Sequence, residues 1–132
     1  MMRKASPERV AAIRSRVQAV FGELRKMGFI CKSNFQCCMT CALAELVEVA
    51  EKRRRNRGAY WHRQDEQHFR ETGVLFIRFA YLPRNGIEGD TSSLEVKIGE
   101  QVAEALREQG LELEWDGDPS KTIVITGITP KE

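Results

Sequence analysis

The sequence predicts an α+β fold of two layers, with a mainly antiparallel sheet of about four strands and helices packed on one face. In the first half of the 132 residues, apolar side chains recur every three or four positions, which is typical of half-buried helices. The second half contains short β-branched and aromatic runs between turn residues, which indicate strands. Residues 111–115 alternate apolar with acidic side chains, so helices cover this part of the sheet on one side only. We expect one domain over residues 1–132, with residues 1–5 disordered.

Two helices are predicted in the first half. The first begins at Ser6, because a serine side chain accepts hydrogen bonds from unpaired helix amides and the proline after it lacks a donor that would need a partner. It ends at Gly28, a typical C-terminal cap. The second helix begins at Ser33, with Gln36 as the other half of a capping box, and it ends at Gly58.

Strand and helix signals alternate in the second half, and no linker divides the chain. Arg78 lies inside the most apolar of these strands and needs a carboxylate partner, which Asp65 or Glu66 would supply. In chain order we predict a strand at 59–63, about two helical turns at 65–72, a central strand at 74–82, an exposed loop at 83–90, a helix at 92–110, and a hairpin of strands at 111–115 and 122–126.

A cluster of cysteines is the most specific chemical feature. All four cysteines of the chain lie within eleven residues, and the cluster runs into the start of the second predicted helix. Three interpretations are open: a metal site, a redox site, and simple core packing, since free cysteine is among the most buried residue types. The four residues are Cys31, Cys37, Cys38 and Cys41.

A zinc site is the first chemical interpretation of the cluster. Cys38 and Cys41 lie three residues apart, on one face of the predicted helix. Zinc binds thiolate, imidazole and carboxylate ligands in a tetrahedron, so His62 with either Asp65 or His68 would complete the set. Zinc is the one cofactor that the sequence suggests.

A redox or nucleophilic thiol is the second interpretation. A helix N-terminus stabilises negative charge, which lowers the pKa of a thiol and increases its thiolate fraction. Cys38 would attack and Cys41 would resolve, or Cys37 and Cys31 would take these roles, with His62 as a nearby base. Thioredoxin-like enzymes place such a pair directly after a strand, whereas here a helix precedes the cluster.

The charge pattern bears on the class of partner. The chain has 21 basic and 19 acidic residues, and its apolar runs are too short to cross a membrane. Residues 51–57 carry five positive charges, and Tyr60 and Trp61 beyond them could stack on bases, but cations are also typical of a helix C-terminus. We therefore predict a cytoplasmic protein with no membrane partner, and we do not expect a nucleic-acid partner.

Four features of the sequence form a combined pattern: Cys37-Cys38-x-Thr40-Cys41-Ala42, Tyr60-x-His62-x-Gln64-Asp65, an apolar strand after Gly73, and Trp115-Asp116-Gly117. In combination they resemble a family of small, mostly bacterial domains of uncharacterised function. The resemblance extends from about Cys31 to Ile125 and implies that Cys38, Cys41, His62 and Asp65 meet in space. It implies no reaction, and Cys31 and His68 fall outside its pattern.

Taken together, these features favour a non-enzymatic or regulatory domain whose Cys/His/Asp cluster is structural or binds zinc. One alternative is a thiol-dependent redox protein or enzyme that uses Cys38 and Cys41 with His62. Another is a partner-binding module of the immunity type, which would bind a protein partner. It would use the loop at 83–90 and the sheet face that carries Glu112 and Glu114.

Overall fold

A computed structural model describes residues 6–34, 39–82 and 92–129. Over these residues the fold is α+β, as the sequence predicts. The predicted disorder of residues 1–5, the capping residue Gln36 and the loop at 83–90 lie outside the described residues. In chain order the described elements are α1 (Pro7–Lys26), β1 (Phe29–Lys32), α2 (Met39–Arg53), β2 (Arg57–Tyr60), α3 (Arg63–Thr72), β3 (Leu75–Tyr81), α4 (Ser92–Glu108), β4 (Leu111–Glu114) and β5 (Ile123–Ile128).

The described strands form one sheet in the order β1-β2-β3-β5-β4. β4 and β5 pair antiparallel, as predicted for a hairpin, and β2–β3 and β3–β5 are antiparallel too. β1 is not among the predicted elements, since four residues are too few to show a period. It pairs parallel with β2 because α2 carries the chain back across the sheet between them.

Apolar side chains on both faces of β1 and β2 explain where the helices pack. Phe29, Cys31 and Trp61 belong to a core that α1, α3 and α4 cover, whereas Ile30 and Tyr60 belong to a second core under α2. Alternate residues of a strand point to opposite faces, so α2 lies on the other side of the sheet. The predicted one-sided packing therefore holds for α1, α3 and α4, and α2 departs from it.

Both ends of α1 follow the predicted signals. The Ser6 side chain accepts a hydrogen bond from the Arg9 amide at 3.2 Å. Gly28 follows the helix with a φ of 97°, a conformation that favours glycine. These caps set the length of α1, whose Arg14 faces α3. No described helix is long and apolar enough to cross a membrane.

Candidate functional site

The predicted site residues His62 and Asp65 meet at the start of α3. His62 is the N-cap residue: its Nδ1 accepts a hydrogen bond from the Asp65 amide at 3.3 Å. Asp65 Oδ2 in turn accepts one from the His62 amide at 3.4 Å, which completes a capping box. The Nε2 atom of His62 lies 3.5 Å from the same carboxylate oxygen, and both residues are buried.

Arg78, on strand β3, is the ion-pair partner of Asp65. Its Nε lies 2.8 Å from Asp65 Oδ2, and its Nη2 lies 3.1 Å from Oδ1, so the guanidinium grips both oxygens. Of the two carboxylates that the sequence offers to Arg78, the structure selects Asp65. The Asp65 hydrogen bonds raise the pKa of Arg78, which stays positively charged. Arg78 stands opposite Tyr60 in the β2–β3 register, so the network reaches the α2 side of the sheet.

Glu66 forms a second buried ion-pair cluster, and this residue is not among the predicted site residues. Its two carboxylate oxygens each lie 2.6 Å from a terminal nitrogen of Arg14, and Oε2 also lies 2.7 Å from Arg70 Nε. The Trp61 indole donates to Oε1 at 3.1 Å. Burial raises the pKa of Glu66, but the donors Arg14, Trp61 and Arg70 outweigh it, so the pKa lies below its ordinary value. Glu66 is therefore a carboxylate at neutral pH.

The sequence indicates one of the two arginine partners of Glu66 but not the other. Arg70 lies four residues after Glu66, the spacing at which helical side chains meet. Arg14, however, lies 52 residues before Glu66 in the chain. Only the packing of α1 beside α3 brings Arg14 to the carboxylate.

His62 is held in its neutral form. Burial lowers its pKa, and the opposing attraction of Asp65 does not cancel the effect. Because Nδ1 accepts a hydrogen bond from an amide, the single proton of the neutral ring is on Nε2, which faces Asp65. A base or a metal ligand needs an available imidazole lone pair, and in His62 the helix cap uses it.

The cysteines are separated in the described part of the chain. Cys31 is buried in the core under α1, and burial raises the pKa of its thiol to about 12 against the opposing charges of Arg25 and Arg55. Cys41 is exposed near the start of α2. Cys37 and Cys38 lie outside the described residues. Over the described residues, no three His, Cys, Asp or Glu side chains are grouped to hold a metal ion.

A groove of 310 Å³ opens beside the Arg78 end of the network. Tyr60 and Arg78 line one side, and Lys121 lies across from them in the segment before β5. Burial raises the pKa of Tyr60, so its hydroxyl stays protonated at neutral pH. Lys121 pairs with Asp116 at 3.1 Å, as Arg78 pairs with Asp65. The two cations of the groove are therefore already matched by carboxylates.

Comparison with known proteins identifies a domain family. A family model described as a domain of unknown function (DUF6891) matches residues 8–131, which include every site residue described above. Searches of curated proteins and of solved structures find no match.

Proposed function

We propose that this chain, which belongs to the DUF6891 family of domains of unknown function, is non-enzymatic. In this role its rigid fold presents a surface that binds a protein partner. In this proposal His62, Asp65 and Glu66 are structural residues that fix α3 to the sheet and to α1. The binding surface is an uncovered part of the sheet, here called the open face: Glu112, Glu114, Val124 and Thr126.

The hydrogen bonds of the buried polar residues support the structural role. His62 and Asp65 bond to each other, Asp65 is paired with Arg78, and Glu66 is paired with Arg14 and Arg70. Within the described residues, no buried side-chain nitrogen or oxygen lacks a hydrogen-bond partner. Acid, base or ligand chemistry would have to break these contacts first, and an unpaired buried charge is costly.

Burial along β4 and β5 is the observation that carries the binding role. α2 covers the β1 and β2 end of one sheet face, where Ile30, Tyr60 and Leu82 form its core. At the other end of that face Glu112 and Glu114 are exposed, and no described helix packs over them.

The chemistry of the open face indicates the kind of partner. Thr126 and Glu112 share this face, since the threonine hydroxyl lies 3.1 Å from the Glu112 carboxylate. Val124 stands opposite Glu114 in the register and is half-buried, so one apolar side chain lies beside the acidic groups. Acidic groups beside an apolar side chain fit a partner with basic residues around an apolar contact.

Charge reversal on the open face tests this proposal. The double variant Glu112→Lys with Glu114→Lys is compared with a matched control, Glu104→Lys with Glu108→Lys, on exposed positions of α4. We expect a protein from the native cell extract to be retained by the immobilised wild type and by the control, and to be lost from the open-face variant. Identical retention by all three proteins would contradict the proposal, provided that circular dichroism shows each variant folded.

Zinc binding by Cys38, Cys41, His62 and Asp65 is a second candidate. It is favoured by the approach of His62 to Asp65 within 3.5 Å and by the exposure of Cys41. Such a site would require Asp65 to exchange Arg78 for the metal and His62 to give up its helix cap. A native mass heavier by one zinc, lost in Cys38→Ser, would establish the site, whereas a metal-free mass with unchanged stability of Cys38→Ser would eliminate it.

The thiol-dependent alternative uses Cys38 and Cys41 with His62 as base. The engaged Nδ1 of His62 weighs against it, because a general base needs that lone pair. Alkylation of a single thiol well below the pH at which free cysteine reacts would favour this alternative over the binding role.

A further inference from the structure

A second surface of the molecule gathers positive charge at the edge strand β1. A cavity of 250 Å³ lies between this strand and the C-terminal ends of α1 and α2, and we call it the basic pocket. Among the described residues, its lining includes Arg25, Lys32, Arg53 and Arg55 and no acidic side chain. The chain as a whole has 21 basic and 19 acidic residues, so this separation of charge is a property of the fold.

Backbone contacts hold two of these arginines in place. Arg25 Nη2 donates to the Cys31 carbonyl at 2.9 Å, and Arg55 Nη1 donates to the Phe29 carbonyl at 2.9 Å. The two carbonyls are two residues apart in β1, roughly 7 Å along the strand. Each bond uses one nitrogen of a guanidinium that has five donors, so both groups are oriented and still able to bind an anion.

The charge of the three arginines in the basic pocket is only slightly compensated. Within the described residues, Arg25, Arg53 and Arg55 form no ion pair, in contrast to Arg14 and Arg78. The C-terminal ends of two helices contribute about half a negative charge each, which leaves most of the arginine charge unmatched. Three guanidinium groups converging without a carboxylate favour an anionic ligand.

The size of the cavity restricts that ligand. Clefts for whole cofactors or drug-sized molecules measure about 300 to 1,000 Å³. The basic pocket is smaller, at 250 Å³, and fits a compact oxyanion. Guanidinium groups match phosphate oxygens in planar, paired hydrogen bonds, better than an ammonium does.

We propose that the basic pocket binds the phosphoryl groups of a small ligand, with Arg25 and Arg55 as fixed donors and Arg53 closing over the anion from the end of α2. This site is separate from the open face and from the buried network around Asp65. Its function does not depend on theirs.

Titration calorimetry with pyrophosphate at low ionic strength tests this site. Arg53→Gln is the main variant, because Arg53 is exposed and forms no described bond to the strand, so its loss does not disturb β1. One charge-assisted hydrogen bond contributes enough for about a tenfold change in affinity. We expect Arg53→Gln to weaken binding by about tenfold, and the control Arg107→Gln, on the exposed side of α4, to bind as the wild type does.

Other probes separate the sources of the phosphate. If ADP binds more tightly than pyrophosphate, the natural ligand is a phosphate ester. If ADP binds more weakly than pyrophosphate, the natural ligand is the free anion. Absence of pyrophosphate binding by the wild type, or equal affinity of Arg53→Gln and Arg107→Gln, overturns the proposal. Binding of a single-stranded oligonucleotide without pyrophosphate binding also overturns it, in favour of an extended nucleic-acid surface.

Discussion

Glu66 shows how a single buried carboxylate joins several elements. It lies on α3, accepts hydrogen bonds from Arg14 on α1 and Arg70 on its own helix, and binds the Trp61 indole in the core. Its side chain is 4% exposed, whereas that of Arg70 is 68% exposed. In this cluster the Glu66 carboxylate is therefore shielded from water, whereas the arginines are partly exposed.

We expect Glu66→Gln to lower the free energy of unfolding by about 2 to 4 kcal/mol, because the buried ion pairs lose their anion and the amide nitrogen that replaces one oxygen faces a donor of Arg14. Urea unfolding followed by tryptophan fluorescence measures the change. The matched control is Glu71→Gln, an exposed carboxylate on the same helix whose partner is Gln67. A loss in Glu66→Gln no larger than in the control would contradict the structural role of Glu66.

Cys31 carries the second prediction at the scale of a residue. Its thiol is buried, and burial raises its pKa to about 12, well above the ordinary value. At pH 8 its thiolate fraction is therefore far below that of an ordinary cysteine. We expect iodoacetamide to modify the exposed Cys41 in the folded protein and to spare Cys31 until urea unfolds it. Peptide mass spectrometry reads both residues, and equal rates of modification would show that Cys31 is not in the core.

At the scale of elements, two helical glycines have opposite surroundings. A Cβ at Gly99 on α4 would lie 2.6 Å from a ring carbon of Trp115 and 2.8 Å from Phe79. A Cβ at Gly22 on α1 would have no atom within 4 Å. Gly99 therefore lets α4 approach the edge-to-face Phe79–Trp115 pair, whose centroids are 5.5 Å apart. Gly22 has no such packing function.

Alanine at these positions tests the difference. Alanine favours a helix over glycine by about 1 kcal/mol, so we expect Gly22→Ala to raise the free energy of unfolding by about 0.5 to 1 kcal/mol. Gly99→Ala gains the same propensity but overpacks the aromatic pair, and we expect a net loss of about 1 to 3 kcal/mol. Thermal and urea unfolding measure both changes. Stabilisation by both variants would mean that α4 lies farther from Trp115.

Elements were predictable where their signals are local. The caps of α1 and the β4–β5 hairpin follow from residues within a few positions of each other. The N-cap of α3 was harder, because histidine is not a preferred capping residue, although His62 and Asp65 have the three-residue spacing of a capping box. β1 could not be predicted, since its place depends on pairing with Arg57–Tyr60 across a whole helix.

At the scale of the molecule, charge is separated between the two edges of the sheet. The basic pocket lies along β1, and the acidic open face lies on β4 and β5 at the other edge. Five strands at about 4.8 Å spacing set these edges roughly 19 Å apart, which is more than twice the Debye length of about 8 Å at physiological ionic strength. The two proposed surfaces therefore act independently. A net charge of +2 conceals this arrangement, which only the strand order reveals.

The stability of the whole fold should depend on pH through the two buried groups with lowered pKa values. A lowered pKa means that the folded state binds fewer protons than the unfolded state, so stability falls as pH falls. For His62 the loss begins near its ordinary pKa of 6.5, and for Glu66 near 4.5. Protonated His62 also loses the Nδ1 lone pair that caps α3.

We therefore expect the melting temperature to decrease from pH 7 to pH 5 because of His62, and to decrease further below pH 4.5 because of Glu66. His62→Asn keeps a capping oxygen and removes the titrating group, so its melting temperature should vary less between pH 7 and 5. Glu66→Gln should flatten the curve at the lower step only. His68→Asn, on α3, is the control for replacing a histidine by asparagine. Calorimetry from pH 8 to 3 measures the melting temperature of the wild type and of these three variants. An equal upper step in the wild type and in His62→Asn would show that the neutral His62 cap does not control it.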